Sequence, residues 1–89
     1  MDMIEFFSNE YKEEDWNVYV GCFDELNIHI EEIPQDIVNA VLTVLGEETG
    51  YNWLCNTQLN KFDGKTALEL LKTPKGEKAL KAFIMRLPN

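Results

Sequence analysis

Bases are almost missing from the first two-thirds of this chain. Residues 1–60 contain a single base, Lys12, against 13 acids. Phosphate contacts carry most non-specific affinity for nucleic acid, so this stretch cannot present a DNA-recognition helix. Cysteine is scarce too. Cys22 and Cys55 make no disulfide framework, and free thiols in a cytoplasmic protein are expected. The only histidine, His29, sits between Ile28 and Ile30 and reads as a structural or surface residue. Cys22, His29 and Cys55 are too far apart in sequence to make a metal set, so no metal or cofactor is expected. Glu13-Glu14-Asp15 and Glu31-Glu32 read as solvated acids, not a hard-cation cage. The five glycines are scattered, and no nucleophile elbow or phosphate-binding loop is present. Catalysis is therefore not expected. No apolar run approaches the roughly 18 residues of a membrane span. The acidic start, Met1-Asp2-Met3-Ile4-Glu5, lacks the basic region of a secretion signal.

What the chain does contain is helical pattern. Its 89 residues suit one domain, 1–89. Chains of this size bury only about 60–65% of their unfolded surface, so a second copy or a partner would add stability. Met3, Ile4, Phe6, Phe7 and Tyr11 predict a helix over 3–13. Trp16, Tyr19, Val20, Phe23 and Leu26 recur at helical steps and predict a second over 15–27. Val18-Tyr19-Val20 and Gly21 weaken that assignment. Residues 28–33 read as an extended connector. Pro34 is expected in the first turn of a third helix, lined by Ile37, Val38, Val41, Leu42 and Leu45. Gly46 is expected to end it in the left-handed conformation. A short helix then runs to about Cys55, with a loop over 56–65.

Thr66-x-x-Glu69 has the form of a capping box opening another short helix. Thr73 and Pro74 fit the N-cap and first position of the last helix, whose stripe is Ala79, Leu80, Phe83, Ile84 and Leu87. The fold expected is all-α, a small single-domain bundle of five to six short helices. Acidic, aromatic N-terminal helices occupy 1–33, and the rest of the bundle 34–89.

Charge divides the chain. Seven bases and three acids fall in residues 61–89, so the front is about −12 and the tail about +4. A basic tail meets an acidic partner surface well. It is equally a solvated helix face, or a match for the front of a second copy. Phe6, Phe7, Trp16, Tyr19 and Phe62 exceed the needs of a small core, and such aromatics anchor interfaces. Burial is the plain alternative for each. Phe62, between Lys61 and Asp63, is the one expected at the surface.

The stretch from Trp53 to Leu87 carries a further signal. Trp53-Leu54, Asn56, Leu59, Gly64, Thr66, Leu68, Leu71, Thr73 and Gly76 follow one another in a fixed order. That order resembles the toxin-binding domain of Xre/MbcA/ParS-type bacterial antitoxins, over about residues 34–87. The family pattern runs Trp-Leu, a Pro/Asn loop, Leu-x-Gly, Thr-Pro-x-x-Leu-Leu, Thr-x-x-Gly and a helix. Ala67 stands where the family has proline. Residues 1–33 do not resemble the family's N-terminal helix-turn-helix, so operator binding is not expected.

The resemblance implies a cytoplasmic, non-catalytic module that occludes a toxin enzyme, by family default an NAD-consuming RES-type toxin. It places the C-terminal end toward the toxin. The contact residues it implies are Lys78, Lys81, Arg86, Leu87, Pro88 and Asn89, with Phe62 added from its loop position. A homodimer through the front helices is expected. The alternatives are a dimerisation or regulatory module without a toxin, and an acidic mimic of nucleic acid.

Overall fold

Asp2 starts the first helix: its carboxylate accepts the Ile4 N–H at 2.9 Å, filling one of the bonds a helix start leaves open. The structure, a computed structural model, describes residues 2–87. Six α-helices follow: α1 Met3–Glu10, α2 Glu13–Val20, α3 Gln35–Leu45, α4 Glu47–Asn56, α5 Ala67–Leu70 and α6 Pro74–Ile84. A 3-10 turn, Asn60–Phe62, lies in the loop before α5. The described residues form no strand, only one isolated bridge between Leu59 and Lys65. The all-α bundle is as expected.

The first two helices are shorter than their patterns predict. α1 stops at Glu10, not 13, and α2 stops at Val20, not 27. Gly21 closes α2, and side chains of α3 hold the connector beyond it. Leu26 donates its N–H to Asn39 Oδ1 at 3.0 Å. Gln35 Nε2 donates to the Ile28 carbonyl at 2.9 Å and to Asn39 Oδ1 at 2.9 Å. Those bonds replace the helical ladder with fixed irregular backbone. Phe23 and Leu26 still pack against the core, but from the connector.

Pro34 stands just outside α3, at its N-cap. Gly46 differs from expectation as well. Its φ of 92° and ψ of 157° lie outside the left-handed helical region, in space open to glycine. The chain thereby turns straight from α3 into α4. Gly50 lets the two helices touch, since a Cβ there would fall 2.9 Å from Leu42 Cα.

The expected caps are in place. Thr66 Oγ1 accepts the Glu69 N–H while Glu69 Oε1 accepts the Thr66 N–H at 3.1 Å. Thr73 Oγ1 accepts the Gly76 N–H at 3.0 Å, with Pro74 next to it. α1 lies along α6, α3 against α4, and α5 touches both α4 and α6. The largest enclosed side chains are Trp16, Phe62, Ile37, Leu54, Leu70, Leu80 and Ile84. The radius of gyration, 12.1 Å, matches the roughly 12 Å of a single domain of this length.

Candidate protein-interaction surface

The aromatic side chains of the front half mostly face inward. Phe62 is 1% exposed, which corrects its expected place at the surface. The 3-10 turn aims it into the core, where its ring meets Phe7 at 5.5 Å and Phe83 at 5.4 Å, edge to face. Asp63 and Gly64 then reverse the chain with φ of 57° and 81°. Flanking charges hid this geometry: Lys61 and Asp63 are exposed while the residue between them is not. Trp16 is buried as well, and its indole N–H donates to Asp36 Oδ2 at 2.8 Å. Phe7 is buried against Phe62 and Phe83, while Phe6 and Tyr19 are half-buried.

Much of the basic tail is engaged within the chain. Arg86 pairs with Glu10 of α1, and its guanidinium lies over the rings of Phe6 and Phe7. Lys75 reaches Glu5 of α1 at 4.0 Å. Exposed pairs like these add little stability, at most about 1 kcal/mol each. They join α1 to α6 at two points along the packed pair.

Lys81 has only 13% of its side chain exposed. Its ammonium binds Glu77 at 3.0 Å and lies over the rings of Tyr11 and Trp16. Burial pulls the Lys81 pKa down, but the Glu77 hydrogen bond and the charges of Glu77, Tyr11 and Asp36 raise it above its ordinary value. Burial raises the Tyr11 hydroxyl. Lys81 opposes that, and Glu13, Glu77 and Asp36 add to it. Burial alone raises Tyr19.

All three groups thus hold their protons more tightly in the folded chain. Their stabilisation is complete below the unfolded values, near about 10, and is lost as pH rises through the higher folded values. Denaturant unfolding should show lower stability at pH 11 than at pH 8. Tyr11→Phe should flatten that fall, and an unchanged slope would remove Tyr11 from its cause.

Of the residues expected to meet a partner, Lys78 is exposed, Leu87 is half-buried against the core, and Pro88 and Asn89 lie outside the described residues. Lys61, Lys65 and Lys72 are exposed too. None of these three, nor Lys78, makes an ion pair among the described residues. The motif residues build the support beneath them. Trp53 stacks on Phe83 with centroids 6.2 Å apart, Leu54 is buried, and Leu71 is half-buried. Thr66, Thr73 and Gly76 set the α5–α6 junction.

The most exposed large apolar side chains among the described residues are Val18 at 73% and Tyr51 at 49%. Val18 lies two residues after Trp16 on α2. Once Trp16 marks the inner face, that spacing turns Val18 outward. Exposed acids accompany both: Glu13, Glu14 and Asp15 on α2, and Glu47 and Glu48 on α4. The accessible surface therefore has an acidic, apolar-dotted part on α2 and α4, and a lysine-bearing part from the 3-10 turn to α6. Comparison with protein-family models, curated proteins and solved structures found no match to this chain.

Proposed function

We propose that this chain is a non-catalytic protein-binding module of the antitoxin toxin-binding kind. It neutralises a partner toxin enzyme, by family default a RES-type enzyme that consumes NAD, by occluding its active site in the bacterial cytoplasm. What supports the reading most is the unit made by the matched positions. Trp53 and Leu54 form one wall. Leu59 and Gly64 make the turn. Thr66, Thr73 and Gly76 fix two successive helix starts against it. On that support stand the exposed Lys72 and Lys78.

Because Arg86 and Lys81 have partners inside the molecule, Lys72, Lys78 and the last residues are the better contacts. Exposed bases such as these suit an acidic patch on a partner. Association of two copies through the front helices belongs to the same reading.

A tagged full chain, drawn from the lysate of its native host and read by mass spectrometry, tests this. Expected is one small enzyme in near-equal amount, inactive until the bait is removed. Recovery of the bait alone would sink the antitoxin reading. It would favour a dimerisation module, which the exposed Val18 already fits.

A further inference from the structure

We infer that the bend between α1 and α2 is a hinge. In a pair of copies it straightens into one helix, Met3–Val20, and seats each α1 on the α6 of the other copy. This specifies the self-association named above and does not depend on a toxin.

No glycine or proline breaks the helix at this bend, although Glu13-Glu14-Asp15 suits the start of a new one. Tyr11 and Lys12 leave helical geometry with ψ of 132° and 123°. No glycine or proline occurs from Asp2 to Val20, and lysine is a good helix former. Tertiary contacts hold the bend as well: Phe7 sits between Phe62 and Phe83, and Trp16 is bonded to Asp36.

The bend also leaves backbone donors idle. α2 has no side-chain cap, and the N–H groups of Lys12, Glu13, Glu14 and Asp15 have no backbone acceptor. In a continuous helix they donate to the carbonyls of Ser8, Asn9, Glu10 and Tyr11. Val18 gains as well. Ile4, Phe7, Tyr11, Glu14 and Val18 follow one another at alternating steps of three and four, so a straight helix carries them on one face. The valine that is 73% exposed in the bent chain then joins a seam with Ile4, Phe7 and Tyr11 that Glu14 interrupts.

A lone chain cannot straighten, because α1 would leave Phe62 and Phe83 uncovered. A second copy restores every lost contact. Phe7 meets Phe62 and Phe83, Glu5 meets Lys75, Glu10 meets Arg86, and Tyr11 lies under Lys81, all between copies. This is the economy of domain swapping: the exchanged contacts cancel. Only the hinge bonds and the new seam are set against the entropy of association.

The test uses the full chain at about millimolar concentration. Labelled and unlabelled copies are unfolded together, refolded and examined by isotope-filtered NOE, alongside light scattering. Expected is a dimer with Phe7-to-Phe83 ring contacts between copies. Glu13→Pro is the matched variant. Proline suits the first position of α2, and Lys12 already has the extended backbone that a following proline requires. In the straight helix the same proline is interior in both copies, so dimerisation should weaken by about 10,000-fold. A wild-type monomer, a dimer with only intrachain Phe7–Phe83 contacts, or a Glu13→Pro chain that dimerises as well as wild type would each overturn the hinge. Should Glu13→Pro fail to fold, the wild-type NOE decides alone.

Discussion

Replacing Phe62 by alanine should cost about 3–5 kcal/mol of folding stability. Small domains have only about 5–15 kcal/mol in total, so much of the population would unfold. The ring is 1% exposed and makes edge-to-face contacts with Phe7 and Phe83. Removing it opens a cavity at the meeting point of the 3-10 turn, α1 and α6. The turn resists collapse into it, because Asp63 and Gly64 hold the chain reversal at positive φ. Urea unfolding followed by circular dichroism measures the loss. A change below about 1 kcal/mol would mean that the ring is not enclosed and would return Phe62 to the list of surface contacts.

The Phe62 case shows where sequence patterning stops. Periodicity locates a buried face when several residues of one helix share it, as Ile37, Val38, Val41 and Leu42 do on α3. A three-residue turn has no period. Local charges then dominate the impression, and Lys61 and Asp63 made an enclosed ring look accessible. The second helix failed for a related reason. The stripe from Trp16 through Leu26 is real, since all five residues reach the core. Only three of them do so from a helix. Gln35 and Asn39, polar residues of α3, hold the rest of the backbone in another shape. Such side chain-to-backbone bonds span 13 residues in the case of Leu26 and leave no local mark.

Caps were legible because their chemistry is local. Thr66, Glu69, Thr73 and Pro74 act within three or four positions of themselves. The interaction surface was legible only in part. Charge asymmetry between front and tail was plain, but which charges were already matched was not. Arg86 and Glu10 are 76 residues apart, so only the fold reveals that they meet. With Arg86 held by Glu10 and Lys81 by Glu77, Lys78 is the expected contact base that makes no ion pair among the described residues.

Gly76→Ala should be nearly as damaging as the loss of Phe62, although alanine normally strengthens a helix by up to about 1 kcal/mol over glycine. Gly76 lies in the first turn of α6 and is buried against the end of α5. A Cβ there would overlap the Leu70 carbonyl oxygen and crowd Thr73 Oγ1. The first obstacle is backbone, so no rotamer relieves it. α6 would have to withdraw from α5, and Thr73 would lose its bond to the Gly76 N–H. A cost of about 3 kcal/mol is expected, a drop in melting temperature on the order of 10–20 °C for a domain of this size.

Gly21→Ala is the control. Gly21 closes α2 with helical φ of −64°, and an added methyl there meets nothing closer than the Asn17 carbonyl oxygen at 3.2 Å. Its melting temperature should stay within a few degrees of wild type, roughly 1 kcal/mol either way. Equal melting of the two variants would show that α5 and α6 are not in contact. A large loss at Gly76 alone gives the Thr-x-x-Gly pattern its physical reason. The threonine supplies the cap, and the glycine supplies the room to place that cap against the preceding helix.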